Sequence, residues 1–330
     1  MGADEPGSPG AASLRPSRQV PKDSMRVHRV WLLAVLLPLL IACDETSAVD
    51  AGTPAPGDAG FDAGVERPTA PVLPVATGAC PDFLSSETVT LSPAGIEPRS
   101  VRVWISDQAE TLDGPVIFFW HGAGGSAGDA QYAFSAGQID AVLEQGGVVV
   151  SPSSDPGAGD FPWYLTVGSA DDDLRVMDDA VACLDEQVGI DATHIHSLGF
   201  SAGALHNSQV AVRRASYVAS VATYSGGLIT RRTPPTDAPG ARFAALLFHG
   251  GPGDIVITNF MDATETYRDV LTRQGHYVVV CAHGGGHTIP NQGPEQVMRF
   301  FEDHPFGVSP FPYSAGALPD VFGAECAAAN

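Results

Sequence analysis

The chain has 330 residues, with 17 Lys and Arg against 38 Asp and Glu, a formal charge of −21. Its one lysine is Lys22, so everything beyond the first tenth of the chain is strongly acidic. Such a surface is repelled by phosphates, which excludes nucleic acid as a partner and disfavours acidic substrates.

In chain order, the first element is a leading segment. Met25-Arg26-Val27-His28-Arg29 is short and basic, and Val30 to Ile41 is an apolar run broken only by Pro38. The run is too short to span a bilayer comfortably and has the layout of a signal peptide. It closes on Leu40-Ile41-Ala42-Cys43, which resembles the bacterial lipobox. That resemblance implies acylation of Cys43, which becomes the mature N-terminus, and an exported lipoprotein of the cell envelope held to a membrane through Cys43. Residues 1–43 then comprise an over-long start, with Met25 as initiator, and the signal peptide. The alternatives are an ordinary signal peptide with a chance cysteine, and a cytoplasmic extension for residues 1–24. Which membrane would hold the anchor is open. Residues 44–76 are almost all Ala, Gly, Pro, Asp, Thr, Val and Glu, with Phe61 the one aromatic. Such a composition buries too little apolar area to offset its ordering entropy, so a disordered tether is expected.

From Thr77 onward the pattern is that of a folded domain over 77–303, followed by an irregular tail over 304–330. Apolar, β-rich runs occur at Glu87–Leu91, Val101–Ile105, Pro115–Trp120, Gly147–Ser151, Ile195–Phe200, Ala219–Tyr224, Ala244–His249 and Tyr277–Cys281. Helical periodicity falls at 134–145, 172–187, 202–214, 261–274 and 294–303. Two strands without an intervening helix, then strands alternating with helices, predict an α/β fold. Its sheet should have eight strands, mostly parallel with an antiparallel start, and helices on both faces. In such sheets functional groups gather at the carboxyl ends of the strands, so the loop after each strand carries the information.

After the fifth run stands Gly199-Phe200-Ser201-Ala202-Gly203, the G-x-S-x-G pattern of a serine nucleophile lifted on a tight strand-to-helix turn. After the third stands His121-Gly122-Ala123-Gly124-Gly125. The backbone N–H groups of Ala202 and Ala123, with Gly122 as alternative to Ala123, are candidates for an oxyanion hole. Asp254 follows the seventh run in Gly250-Gly251-Pro252-Gly253-Asp254, and His287 follows the eighth after Gly284-Gly285-Gly286. A serine hydroxyl does not ionise near neutral pH unaided. His287 can take its proton, and Asp254 can fix the imidazole tautomer. His249 and His283 are rivals for the base, but His287 follows the flexible glycine run. The same side chains could be imagined around a metal, yet a triple-glycine loop is a poor scaffold for one, and no cofactor is expected. Trp163 and Tyr164, with Phe161, follow the fourth strand and are candidates to line the cleft. Asp171-Asp172-Asp173 opens a helix, where carboxylates suit the positive end of the dipole.

The Ser201 turn, the His121 loop, the His-Gly-x-x-x-Asp loop ending at Asp254 and Gly285-Gly286-His287-Thr288-Ile289-Pro290 together resemble the polyhydroxybutyrate depolymerase and feruloyl esterase branch of the α/β-hydrolases. The similarity spans about residues 95–303. It implies the α/β-hydrolase fold, a Ser201–His287–Asp254 triad and carboxylic-ester hydrolysis through an acyl-enzyme, on polymeric or oligomeric esters. Ile289 stands where that branch usually has Trp, and Gly253 where a longer or polar residue is common. The Tyr224 to Arg242 connection is too short for a lipase-sized lid. The alternative functions are a dienelactone-hydrolase-like or prolyl-oligopeptidase-like hydrolase of small substrates, and a non-catalytic surface-binding lipoprotein. With the strand order of this fold, Cys183 lies on a helix near the sheet centre. Cys281 ends the eighth strand, at an edge about 14 Å from the fifth. Bridged Cα atoms lie within about 7 Å, which disfavours Cys183–Cys281 and its complement Cys80–Cys326. Of the two pairings that remain, Cys80–Cys183 with Cys281–Cys326 is expected, tacking the entry segment to the helix and the tail beside the His287 loop, with free thiols as the alternative.

Overall fold

The computed structural model describes residues 68–158, 162–164, 171–231 and 235–329. Cys43, the signal-like segment, the tether as far as residue 67 and Phe161 lie outside the described residues. The strands are β1 (Thr88–Leu91), β2 (Arg99–Trp104), β3 (Val116–Trp120), β4 (Val148–Pro152), β5 (Ile195–Phe200), β6 (Ser220–Tyr224), β7 (Ala244–His249), β8 (Tyr277–Ala282) and β9 (Cys326–Ala329). The helices are α1 (Ala130–Phe134), α2 (Ala136–Glu144), α3 (Asp172–Gln187), α4 (Ala202–Arg213), α5 (Phe260–Arg273) and α6 (Gly293–Asp303).

All nine strands join one sheet in the order β1-β2-β4-β3-β5-β6-β7-β8-β9. The pairings from β4 through β8 are parallel, while β1–β2, β2–β4 and β8–β9 are antiparallel. The side chains of β3 show why its sequence reads as a continuous apolar run. Val116, Phe118 and Trp120 belong to the core under α3, α4 and α5, and Ile117 and Phe119 to the core under α1, α2 and α6. A strand covered on both faces has no solvent side to mark with polar residues.

The structure departs from the sequence reading at both ends of the domain. The tail contributes β9, so the sheet has nine strands among the described residues and β8 is not its edge. Its residues, Cys-Ala-Ala-Ala, have neither alternation nor β-branched side chains. They are extended because β8 supplies their hydrogen bonds, in a register that sets Cys326 opposite Cys281, and these two cysteines are disulfide-bonded. At the other end, residues 68–76, whose composition predicts the last part of a disordered tether, lie against the domain. The Val72 N–H donates to the Ser216 carbonyl at 2.9 Å, and Leu73 and Ala76 pack on the core.

One face of α3 holds the segment that follows. The buried Asp179 carboxylate accepts from the Thr77 N–H (3.0 Å), the Thr77 hydroxyl (3.0 Å) and the Gly78 N–H (2.9 Å). Cys183, one turn on, is disulfide-bonded to Cys80. Gln187, one further turn on, accepts from the Phe83 N–H (3.0 Å) and donates to the Pro81 carbonyl (2.8 Å). The i, i+4, i+8 spacing puts all three contacts in one stripe. At the start of α3, Asp171 pairs with Arg213 at 2.6 Å and Asp173 is buried, so these two of the three carboxylates make contacts within the domain.

Peptide mapping without reductant is expected to recover Cys80–Cys183 and Cys281–Cys326 cross-links; a Cys183–Cys281 peptide would contradict this topology. Asp179→Ala leaves three donors without their acceptor. It should lower stability by about 2 kcal/mol or more in denaturant unfolding and expose residues 77–83 to proteolysis.

Candidate active site

The chain turns from β5 into α4 within Gly199–Gly203. Ser201 sits at φ 56°, the left-handed region, at a cost of about 1–2 kcal/mol for a residue with a Cβ. The surroundings hold it there. A Cβ on Gly199 would fall 2.4 Å from the Gly203 carbonyl oxygen, and one on Gly203 would fall 2.0 Å from the Trp120 carbonyl oxygen at the end of β3. Both flanking glycines are therefore required by backbone contact. The Ser201 N–H donates to the Tyr224 carbonyl at the end of β6 (2.9 Å).

The loops after β7 and β8 continue the sheet's pairing beyond the strands. The His283 N–H donates to the His249 carbonyl (3.1 Å) and the Gly286 N–H to the Gly250 carbonyl (3.0 Å). A Cβ on Gly250 would lie 1.9 Å from the Gly286 oxygen, so this close approach needs glycine. It brings three residues far apart in sequence into one hydrogen-bonded line. His287 Nε2 lies 2.9 Å from Ser201 Oγ, and His287 Nδ1 lies 2.7 Å from Asp254 Oδ1. The imidazole packs on the rings of Phe200 and Phe260, with centroids at 5.1 and 4.6 Å.

Asp254 has no exposed surface. Burial pushes its carboxyl up, but hydrogen bonds from His287, the Gly250 N–H (2.8 Å) and the Ser225 hydroxyl (2.8 Å) outweigh that and hold it below the usual carboxylate range. Ser225 is absent from the sequence-level candidates. The signal was there: it directly follows β6 and precedes Gly226-Gly227, as the other loop residues of the site adjoin glycines.

The His121 loop lies over the nucleophile, since a Cβ on Gly122 would come within 3.2 Å of the Ser201 Cβ. The Gly122 carbonyl is held by the Gly125 N–H (3.0 Å) and by His121 Nδ1 (2.9 Å). Ala123 is exposed and Ala202 opens α4. The first N–H groups of a helix have no acceptor within it, and Ala202, directly after Ser201, carries the first of them in α4.

Trp163 requires a correction. It is 2% exposed, and its indole N–H donates to the His121 carbonyl (2.8 Å) while its ring packs on Trp120, His121 and His206. It supports the His121 loop from beneath and does not line a cleft. Tyr164 is half-buried; its hydroxyl donates to Asp155 (2.8 Å) and its N–H to Asp173 (2.9 Å), beside Arg99. Burial pushes the Asp173 carboxyl up to about 6. The rival histidines have local partners: His249 Nδ1 accepts from the Gly251 N–H (3.1 Å) and His283 Nδ1 from the Gly285 N–H (3.2 Å). Burial pushes the imidazoles of His121, His249 and His283 below their usual value.

A groove of about 440 Å³ adjoins His287, lined by Tyr132, Ser135, Phe200, Ile289, Pro290 and Pro294. Neither Trp163 nor Tyr164 lines it. A larger cavity of about 600 Å³ lies at the amino ends of β3 and β5, between α2 and α6. That is the end of the sheet opposite Ser201.

No protein-family model matches the chain. Feruloyl esterase B of Thermothelomyces thermophilus is 29% identical over 139 residues, 40% of this chain and 46% of that protein. The chain thus spans about half the length of the curated relative it matches. Among solved structures, native pOPH superposes with a TM-score of 0.58 at 14% identity, covering 76% of this chain and 96% of that one. A structure from an analysis of two esterases of Rhizomucor miehei superposes with a TM-score of 0.50 at 15% identity, covering 66% and 83%. At such identities the likeness concerns the fold, and with the strand order and pairings described above it identifies the architecture: the chain has the α/β-hydrolase fold.

Proposed function

We propose that the protein is a serine carboxylic-ester hydrolase, with Ser201 as nucleophile, His287 as general base and then acid, and Asp254 as the orienting acid. The observation that carries this reading is the unbroken line Ser201–His287–Asp254, whose members stand after three different strands. In the first step His287 Nε2 takes the Ser201 proton as Oγ bonds to the ester carbonyl carbon. The oxygen that becomes negative is held by the N–H groups of Ala202 and Ala123. His287 then protonates the departing alkoxide, and water, activated by the same imidazole, releases the acid from the acyl-enzyme. Asp254 stays ionised throughout, because its hydrogen bonds favour the charged form.

The substrate reading is a polymeric or oligomeric ester of the feruloyl or hydroxybutyrate kind. It is supported by the partial similarity to a feruloyl esterase and by the groove beside His287. The short β6–β7 connection is in keeping with an uncovered cleft. Export through a lipid anchor at Cys43 is part of the same proposal. Its support is the lipobox-like run and two disulfides, which form in an oxidising compartment.

Ser201→Ala should fold as wild type and lose at least about a thousandfold in ester hydrolysis, measured on p-nitrophenyl butyrate, because triad members act as a unit. Retention of a tenth of the activity, or failure of a fluorophosphonate to label Ser201, would overturn the assignment. A panel of short p-nitrophenyl esters, methyl ferulate, acetylated xylan and hydroxybutyrate oligomers reads the substrate class. Cys43→Ser should move the protein out of the membrane fraction while leaving esterase activity intact; persistence on membranes after a high-salt wash would exclude the anchor.

A further inference from the structure

We infer that Ser225 is a positioning residue for the site, fixing the Asp254 carboxylate so that Oδ1 is left to His287. The inference rests on the triad reading above and extends it to a residue outside the triad. An ionised carboxylate only accepts hydrogen bonds, so the Ser225 hydroxyl donates to Asp254 Oδ2 at 2.8 Å. The Gly250 N–H donates to the same oxygen, also at 2.8 Å. Two donors on Oδ2 set the rotation of the carboxylate and leave Oδ1 facing His287 Nδ1, 2.7 Å away. One donor alone would leave that rotation softer.

The backbone around Ser225 is shaped for this contact. Ser225 stands at φ 51°, in the left-handed region, as Ser201 does. The residues after it are wedged between two helices. A Cβ on Gly226 would meet the Ala204 Cβ of α4 at 2.4 Å, and one on Gly227 would meet the Ala263 carbonyl oxygen of α5 at 2.2 Å. The Ser225 N–H is bonded to the Phe248 carbonyl of β7 (2.9 Å), and the preceding carbonyl, of Tyr224, accepts from Ser201 (2.9 Å). Two consecutive residues at the end of β6 therefore touch the nucleophile on one side and the acid on the other. Ser225 is fully buried and does not line the groove beside His287, so it acts through Asp254 and not on substrate.

The test compares Ser225→Ala with Ser225→Gly. Both delete the donor, but glycine also relieves the left-handed φ while alanine keeps it, so a shared effect belongs to the hydroxyl and not to backbone strain. Both variants should keep a cooperative thermal transition. On p-nitrophenyl butyrate kcat should fall about tenfold or more in each, with KM within about twofold, as expected for one hydrogen bond to a charged group whose loss is felt in the transition state. The second readout needs no substrate. With one donor fewer, the carboxylate is a stronger acceptor, so the low-field proton resonance of His287 Nδ1–H should move further downfield in Ser225→Gly. An unchanged resonance together with kcat within twofold of wild type would overturn the inference. A wild-type enzyme inactive on every ester, but with the resonance shifted in the variant, would instead overturn the esterase reading and leave the positioning role standing.

Discussion

The close packing of backbone on backbone at the carboxyl ends of β3 and β5 is the constraint on which the site depends. Helix α4 can start directly after Ser201 only because Gly203 lets it rest against the Trp120 carbonyl, where a methyl group would sit 2.0 Å from oxygen. That contact sets three things at once. It lifts Ser201 clear of the sheet, aims the first turn of α4 at the space above it, and fixes that turn relative to the His121 loop, which begins at the residue after β3. Trp163, donating to the His121 carbonyl from below, holds the loop from its other side. A side chain read from sequence as a cleft residue is in fact part of the foundation.

The second requirement is electrostatic. A carboxylate with no solvent contact costs several kcal/mol unless its lone pairs are filled. Asp254 is filled by three donors from three loops, those after β6, β7 and β8. The same bonds that make its charge tolerable also orient it. The glycine pair Gly250 and Gly286 brings the last two loops within hydrogen-bonding distance, extending the β7–β8 pairing into the site. The sheet's register is thereby passed directly to the positions of Asp254 and His287.

Away from the site, the two ends of the domain are fastened to elements that the site depends on. Cys281, close before the His287 loop, is tied to β9, and the stripe on α3 holds residues 77–83. The covalent links fasten the two least regular parts of the domain: a four-residue edge strand, and a segment with no regular secondary structure.

The fold class, eight of the nine strands and the longer helices were legible in the sequence because each carried a local signal: a continuous apolar run, a helical period, a glycine after a strand. Ser201, Asp254 and His287 were legible for the same reason, since strand-end loops with tight glycine turns are local features. β9 was not, because Cys-Ala-Ala-Ala has no pattern of its own and is a strand only where β8 offers hydrogen bonds. Residues 68–76 were misjudged because composition reports the average tendency of a segment, whereas Leu73 and Ala76 find a surface to pack on. Trp163 and Ser225 exchanged places for a single reason. Whether a side chain faces a cleft, a loop or a buried carboxylate is fixed by what the rest of the chain puts beside it. The sequence alone determined which residues could do chemistry and at which ends of which strands; the tertiary structure decided which of them meet, because those meetings are made by close contacts between loops tens of residues apart.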